Sequence, residues 1–207
     1  MRKIISLFQR NYAGDHLVRN EVVPGAEWVV AGEGVATRKF DGTCCMVRDG
    51  KLYKRYEVKP GGQPPANFEP ANEVDEITGK QQGWMPVGDG PEDRWHREAF
   101  ARGTCWQPSP YDNGYGFGID RSLADGTYEL IGPKVQGNPE GAMIHCLVSH
   151  GRSELHDCPR DYEGLRNYLA THNIEGVVWH HEDGRMVKIK GKDFGLKRSH
   201  RKESPDD

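Results

Sequence analysis

The chain has 207 residues, enough for one substantial hydrophobic core. With 35% hydrophobic residues and a formal net charge of -3, it has no overall positive field to attract a polyanion, so any nucleic acid would need a local basic patch. No apolar run is long enough to cross a bilayer, and no signal peptide pattern opens the chain. We therefore expect a cytoplasmic, monomeric protein without a membrane partner, whose five cysteines are reduced.

The first half of the chain predicts strands, then a loop, then a helix. Alternating polar and apolar residues predict strands in EWVVAGEGVATRK (27–39) and TCCMVRDGKLYKRYEV (43–58). Residues 60–90 are rich in Pro, Gly, Gln and Asn and predict a long loop or insertion. A helix is predicted in PEDRWHREAFARG (91–103), which has a proline and acids at its start and a glycine after its end.

The second half predicts three further strand segments and one helix. The strand segments are GTYELIG (126–132), AMIHCLV (142–148) and EGVVWHHEDGRMVKIK (175–190). The helix, PRDYEGLRNYLATHN (159–173), has Leu165, Tyr168 and Leu169 at helical spacing. The basic stretch 185–202 precedes an acidic tip.

Two Asp-Gly pairs predict hairpins with two-residue turns. A turn at Asp49-Gly50 pairs Cys44 with Arg55 and Met46 with Tyr53. A turn at Asp183-Gly184 pairs Glu182 with Arg185, Trp179 with Lys188 and Val177 with Lys190. Alternation then places one carboxylate and several lysines on the same face, which comprises Glu175, Val177, Trp179 and His181 with Met186, Lys188, Lys190 and Lys192. Taken alone, this is the pattern of a solvated, charge-balanced ribbon.

Four short motifs follow one another in an informative order: KFDG (39–42), YELIG (128–132), EGVV (175–178) and VKIK (187–190). Each is weak by itself. In this order they resemble the covalent nucleotidyltransferase superfamily of ATP-dependent RNA and DNA ligases and mRNA capping enzymes. The longer phrases GEGVATRKFDGTCC, PEDRWHREAF and ELIGPKVQGNPEG resemble a small family of 5′-to-3′ RNA ligases that includes the vertebrate-type enzyme.

The resemblance implies a fold and a set of site residues. The fold is α+β, an adenylation (ATP-grasp-like) domain of antiparallel sheets flanked by a few helices. It would span residues 1–190, with a basic tail at 191–207. Since 17 residues follow Lys190, no OB-fold domain is expected. The implied catalytic residues are Lys39, Lys188 and Lys190. The implied nucleotide-binding residues are these three lysines together with Asp41, Gly42, Arg55, Glu129 and Val178. The implied metal ligands are Glu175, Asp41 and Glu129.

The chemistry of such enzymes asks for these residue types. A lysine amine attacks the α-phosphate of ATP, yet about one lysine in 2,500 is neutral at pH 7. Nearby cations and partial burial favour the neutral amine, and Lys188, Lys190 and a divalent ion are the candidates. Mg²⁺ (or Mn²⁺) takes hard oxygen ligands from one or two carboxylates together with the phosphates. Val178 has two possible roles, an apolar contact with adenine or an ordinary core residue.

The expected reaction joins RNA with a 5′-phosphate to RNA with a 3′-hydroxyl through lysyl-AMP on Lys39. Two alternatives stay open: a nucleotidyltransferase with another acceptor, such as a DNA nick or an RNA cap, and a nucleotide- or RNA-binding module without catalysis. The basic side chains near the end of the chain suit either RNA contact or solubility. They are Lys192, Lys197, Arg198 and Arg201.

Three other features have simpler readings. HCLVSHGRSELHDC (145–158) contains soft metal ligands without zinc-site spacing. Cys44 and Cys45 follow Lys39, but no histidine is near them in sequence, so strand packing is the expectation. Trp95, His96 and Arg97 suit either contact with RNA or an amphipathic helix with Trp95 in the core.

Overall fold

The computed structural model describes residues 4–106, 118–120 and 123–198. Within these residues, no helix combines the length and the apolar character needed to span a membrane. The described chain is a mixed α+β structure with mostly antiparallel sheets and few helices.

The helices are α1 (Glu27–Val30), α2 (Arg94–Arg102) and α3 (Tyr162–Thr171), with short 3₁₀ helices at Pro91–Asp93 and Gly191–Phe194. The strands of the first half are β1 (Ile5–Ser6), β2 (Phe8–Arg10), β3 (Val18–Val22), β4 (Val35–Lys39), β5 (Thr43–Arg48), β6 (Lys51–Val58), β7 (Glu69–Pro70) and β8 (Gln81–Pro86). Those that follow are β9 (Thr104–Trp106), β10 (Gly118–Asp120), β11 (Gly126–Ile131), β12 (Cys146–Ser149), β13 (Gly176–His180) and β14 (Met186–Lys190).

The chain divides into two compact units. The middle unit contains Asp41–His150, and the split unit contains Ile4–Phe40 with residues 151–198. Strands β7 and β8 lie within the stretch expected to be a loop, and they belong to the sheet of the middle unit. The 3₁₀ helix at Gly191–Phe194 continues the fold past β14, because Phe194 is buried and packs edge-to-face on Tyr162.

The main sheet of the split unit has the strand order β1-β14-β13-β4. One of its faces is apolar and packs against α1 and α3. Burial of such side chains is the main favourable term in folding. The larger members of this core are Trp28, Val29, Leu165, Tyr168, Leu169, Val177, Trp179, Val187 and Ile189.

The hairpin of β13 and β14 differs by one residue from the predicted register. Val178 lies opposite Lys188, Val177 opposite Ile189, and Trp179 opposite Val187. A five-residue loop at 181–185 replaces the two-residue turn. The predicted pairs of Val177 and Trp179 with lysines are therefore wrong. The physical reason is burial, because the observed register sets four apolar side chains against one another on the core face.

The second hairpin has the predicted register. Met46 lies opposite Tyr53, as expected from a turn at Asp49-Gly50. Both turn residues have positive φ, 51° at Asp49 and 67° at Gly50. That conformation suits a tight hairpin whose twist matches its strands.

The sheet of the middle unit has the order β10-β9-β12-β11-β5-β6-β8-β7. Its core face carries Cys45, Val47, Leu52, Tyr128, Leu130 and Leu147, and α2 contributes Ala99 to this core. Because side chains alternate along each strand, the residues between these positions share the opposite face. Cys44, Arg55 and Glu129 lie on that opposite face.

Two predicted helices are confirmed, and one predicted strand is wrong. Helix α2 ends before Gly103, and α3 begins after Asp161, whose carboxylate accepts a hydrogen bond from Gly164 N at 2.8 Å. Residues 27–30 form helix α1 instead of a strand. Trp28 and Val29 are both buried in one core, whereas a strand would direct these neighbours to opposite faces.

The cysteines do not all have the expected state. Cys146, in β12, is part of a disulfide, so the expectation of a reduced thiol is wrong at this position. Cys45 is fully buried, and burial raises its pKa well above the ordinary range, as strand packing implies.

Trp95 stacks on the ring of the buried His145, at 4.4 Å between centroids.

Candidate active site

Three strands of the split unit bring lysines together around one glycine. Gly176 on β13 lies opposite Lys39 on β4 and, on its other side, opposite Lys190 on β14. Directly opposed residues point to the same face of a sheet. Lys39 and Lys190 therefore flank Gly176 on one face, although they are far apart in sequence.

Glu175 stands between the two lysines. Lys39 Nζ donates to Glu175 Oε2 at 2.6 Å, and Lys190 Nζ donates to Glu175 Oε1. The three side chains are largely withdrawn from water, with 21% of Lys39, 12% of Glu175 and 19% of Lys190 exposed. Burial alone would favour the neutral carboxyl, but the charges of Lys39 and Lys190 outweigh it and lower the pKa of Glu175.

Lys188 adds a third cation to this cluster. It lies on the same face as Lys190, opposite the buried Val178. Burial, followed by the charges of Lys190 and Lys39, lowers the pKa of Lys188 to about 8. The electrostatic repulsion between ammonium groups is mutual, so it also acts on Lys39 and Lys190. The lysine cluster (Lys39, Lys188 and Lys190 with Glu175) thus holds three cations and one carboxylate.

Gly176 is required for the close packing of these strands. A Cβ at this position would lie 2.1 Å from the carbonyl oxygen of Ile189 and 2.9 Å from Cα of Lys190. Backbone atoms cannot move away as a flexible side chain can. The absence of a side chain lets β14 approach β13 closely enough for Lys190 to reach Glu175.

The middle unit holds a second group of the predicted residues. Gly42 N–H donates to Glu129 Oε1 at 3.1 Å, which links the end of the KFDG motif to β11. Glu129 is 8% exposed, so this carboxylate is held inside the unit. A Cβ on Gly42 would lie 2.1 Å from the carbonyl oxygen of Leu130, which explains the glycine. Asp41 N–H donates to Glu140 Oε1 at 2.9 Å.

The two basic residues of β6 have different surroundings. Lys54 lies on the core face, opposite Cys45, and its Nζ pairs with Asp93 Oδ1 at 2.5 Å. Arg55 points to the other face, which also carries Glu129. The structure therefore brings Arg55, and not Lys54, to the face that holds the predicted site residues of this unit.

Sequence reasoning missed two residues beside Glu129. His150 Nε2 lies 3.0 Å from Glu129 Oε2, and His150 Nδ1 lies 3.0 Å from Thr127 Oγ1. His150 follows β12, which pairs with β11, so it arrives from a neighbouring strand. Thr127 could have been expected on this face, since it lies two residues before Glu129 on one strand. No local pattern indicates His150.

Each unit thus assembles its own part of the predicted set. The split unit gathers Lys39, Glu175, Val178, Lys188 and Lys190, and Val178 faces the lysines rather than the core cluster. The middle unit places Arg55 and Glu129 on one face of its sheet and Gly42 against Glu129. Chemically, the split unit offers an amine beside further cations that can neutralise phosphate charge, while the middle unit offers a held carboxylate and a guanidinium.

Comparison with known proteins relates the chain to one family. The model of a family described as RNA ligase 1 matches residues 67–204. The chain belongs to the RNA ligase 1 family. The matched range includes Glu129, Glu175, Lys188 and Lys190, and it begins after Lys39 and the rest of the KFDG motif.

Curated relatives in the RNA ligase 1 family come from several vertebrates. RNA ligase 1 of Mus musculus is 28% identical over 222 aligned residues, which cover 78% of this chain and 67% of the mouse protein. RNA ligase 1 of Rattus norvegicus is 27% identical over 235 residues, and that of Danio rerio is 27% identical over 219 residues, with the same coverage of both chains. The resemblance to a vertebrate-type RNA ligase family is therefore confirmed.

Proposed function

We propose that this protein is an ATP-dependent RNA ligase of the covalent nucleotidyltransferase superfamily, with Lys39 as the residue that carries AMP. The observation that carries the proposal is the position of Lys39 Nζ, 2.6 Å from Glu175 Oε2, beside two further lysines on the same face of the sheet. A lysine that serves only as a surface charge has no need of such surroundings. Membership of the RNA ligase 1 family supports the choice of reaction and of RNA as substrate.

In the first step of this proposal, neutral Lys39 Nζ attacks the α-phosphorus of ATP. A P–N bond forms, the bond from that phosphorus to the bridging oxygen breaks, and pyrophosphate leaves with the electron pair. Nζ must first lose a proton to solvent. The charges of Lys188 and Lys190 favour this loss, whereas the ion pair with Glu175 opposes it. The ion pair with Glu175 therefore keeps Lys39 as an ammonium group until its surroundings change.

The remaining lysines then act on developing charge. Lys188 and Lys190 stabilise the negative charge that grows on the phosphate oxygens as pyrophosphate departs. Val178, which faces them, would contact adenine. In the middle unit, Arg55 would bind a phosphate, Glu129 the ribose hydroxyls, and Asp41 and Gly42 would hold the nucleotide, as the superfamily resemblance implies.

Mg²⁺ fits the chemistry of Glu175. Its carboxylate is ionised, because the pKa is lowered, and oxygen is the ligand that Mg²⁺ prefers. The ion would neutralise the carboxylate charge that holds Lys39 as an ammonium group, and it would screen the phosphates. We propose Glu175 as its main ligand. The superfamily resemblance also implies Asp41 and Glu129 as ligands.

Two further steps complete the proposed reaction. An oxygen of the RNA 5′-phosphate attacks the phosphorus of lysyl-AMP, which breaks the P–N bond and gives an RNA end capped by AMP. The 3′-hydroxyl then attacks the RNA phosphorus, and AMP leaves. Lys192 and Lys197 are exposed and suited to RNA phosphates, whereas Arg198 donates to Asn173; Arg201 lies outside the described residues.

Intact-protein mass spectrometry after incubation with ATP and Mg²⁺ tests the proposal. We expect the wild-type chain to gain the mass of one AMP. Lys39→Arg should abolish the gain, because arginine keeps the positive charge beside Glu175 but offers no neutral amine. Lys192→Ala, a change of an exposed lysine, is the matched control and should leave the gain intact. A wild-type chain that stays unmodified would refute the enzymatic proposal, and AMP on another residue would refute the assignment of Lys39.

The acceptor is tested separately. The protein charged with AMP should join RNA that has a 5′-phosphate and a 3′-hydroxyl, and it should leave nicked DNA unsealed. GTP should not replace ATP in the first step. Sealing of nicked DNA alone, or transfer of GMP to an RNA end, would show instead a nucleotidyltransferase with another acceptor.

A further inference from the structure

Three potential metal ligands meet on one face of the middle unit's sheet. Cys44 on β5 lies directly opposite Glu129 on β11. His150 follows β12, and its backbone N–H donates to the carbonyl oxygen of Thr127, which lies two residues before Glu129. Because directly opposed residues and every second residue share a face, the three side chains point the same way.

Their ligand atoms are close enough to share one ion. Cys44 Sγ, a carboxylate oxygen of Glu129 and a ring nitrogen of His150 all lie within 4.8 Å of one another. The separation of His150 Nε2 from Glu129 Oε2 is 3.0 Å. Tetrahedral zinc, with bonds of about 2.0–2.3 Å, holds its ligand atoms roughly 3.3–3.6 Å apart. Small rotations of these side chains would therefore suffice to bind an ion.

Two of these ligands already have the partners that orient a metal ligand. His150 Nδ1 lies 3.0 Å from Thr127 Oγ1, which leaves Nε2 directed toward Glu129. Glu129 Oε1 accepts the N–H of Gly42, which leaves Oε2 directed toward His150. Such outer contacts fix ring and carboxylate orientation around bound metals.

We propose that Cys44, Glu129 and His150 form a site for a borderline-soft divalent ion of the Zn²⁺ type. A thiolate, an imidazole and one carboxylate suit such an ion and not Mg²⁺, which prefers oxygen ligands. On binding, the Cys44 thiol gives its proton to solvent, and His150 binds as neutral imidazole. The side chain of His150 is 28% exposed, so water can occupy the fourth position.

Occupation of this site would also affect catalysis, and this consequence rests on the proposed function. An ion on Glu129 Oε2 would engage a carboxylate that we assign to the nucleotide. Zn²⁺ would then inhibit adenylylation by competing with ATP. Binding of the ion itself does not depend on any catalytic role.

Spectroscopic titration of the full chain with Co²⁺ tests the site. We expect one ion per chain, with a thiolate-to-cobalt charge-transfer band and the d–d bands of a four-coordinate centre. Cys44→Ser should remove the charge-transfer band, and Cys158→Ser should retain it, because the Cys158 thiol packs against the apolar core that contains Trp28 and Leu165. His150→Gln should weaken binding at least about tenfold, and Thr127→Val should weaken it to a smaller extent.

Circular dichroism shows whether each variant is folded before titration. If Cys44→Ser does not fold, His150→Gln and Thr127→Val decide the question. Absence of a charge-transfer band in the wild-type chain, or its persistence in a folded Cys44→Ser chain, would overturn the site. AMP transfer to Lys39 is measured by mass without Co²⁺, so failure of the metal site and failure of the ligase proposal are distinguishable.

Discussion

Lys39 and Glu175 form an ion pair with 2.6 Å between Nζ and Oε2, although 136 positions separate them in the sequence. The pairing of β4 with β13 creates this contact, because it places Lys39 opposite the residue that follows Glu175. Glu175 also accepts from Lys190. One carboxylate therefore compensates two ammonium groups, and its loss should lower both the free energy of unfolding and the rate of the proposed adenylylation.

Glu175→Gln should lower the free energy of unfolding by about 1–3 kcal/mol at pH 7, because two partly buried ammonium groups lose their counter-charge. The pKa of Glu175 is lowered in the folded state, so its stabilisation is present above the ordinary carboxyl range and lost as the pH falls through the folded-state value. Urea unfolding at pH 7 and below about pH 4 measures the difference, which should shrink in acid. Glu182→Gln, at an exposed residue of the same hairpin, should change stability little. An equal loss from both changes would contradict the ion-pair argument.

Glu175→Ala should impair the proposed adenylylation most strongly at low Mg²⁺ concentration, because the variant would lack the main ligand of the ion. Formation of lysyl-AMP across a Mg²⁺ titration measures this effect. The wild-type chain should saturate at a lower concentration than the variant. If the two chains lose activity in the same proportion at every concentration, Glu175 does not hold the metal.

Lys188→Met should stabilise the protein at pH 7 by about 1–3 kcal/mol, because burial and two neighbouring cations make the ammonium form unfavourable. The pKa of Lys188 is about 8 when folded and higher when unfolded, so the unfolded chain binds more protons between these values. Stability of the wild-type chain should therefore rise with pH in this range, and its deficit relative to the variant should close. Denaturant unfolding from pH 7 to about pH 10 checks this trend, with the exposed Lys192→Met as control. A constant difference would count against the assignment.

Gly176→Ala should destabilise the split unit by about 2–3 kcal/mol, because its Cβ would meet the carbonyl oxygen of Ile189 at 2.1 Å. It should also displace Lys190 from Glu175 and slow AMP transfer. Gly126→Ala is the matched change in another strand, where the nearest atom would lie 3.9 Å away. Thermal unfolding of both variants should show a loss for Gly176→Ala alone.

Lys54→Met should reduce stability, whereas Arg55→Met should reduce activity. Loss of Lys54 leaves Asp93 buried without its ammonium partner, so the free energy of unfolding should fall by about 1–3 kcal/mol. Loss of Arg55 should leave stability within about 0.5 kcal/mol and reduce the proposed adenylylation. Denaturant unfolding and AMP transfer measured on both variants would separate the two roles. An unstable Arg55→Met with full activity would reverse our assignment.

Local pattern was sufficient for several elements. The helix at 162–171 followed from Leu165, Tyr168 and Leu169 at helical spacing, and all three are buried. The turn at Asp49-Gly50 correctly set Met46 opposite Tyr53. The predicted two-residue turn at Asp183-Gly184 was wrong, because burial of Val177 and Trp179 against Val187 and Ile189 favours a longer loop. Where turn preference and core packing disagree, packing decides, since it involves several kcal/mol and the turn far less.

The sequence by itself determined the residue types and their order: KFDG, then a glutamate in YELIG, then EGVV and two alternating lysines. That order resembles the nucleotidyltransferase superfamily, and the longer phrases around it indicated the RNA ligase family, which the comparison confirmed. Only the tertiary structure decided that Glu175 pairs with Lys39 and Lys190, that Lys188 has its pKa lowered to about 8, and that His150 reaches Glu129 beside Cys44. Strand pairing joins residues that are distant along the chain, and the protonation of a lysine depends on burial and on neighbouring charges. Neither property is contained in a local stretch of sequence.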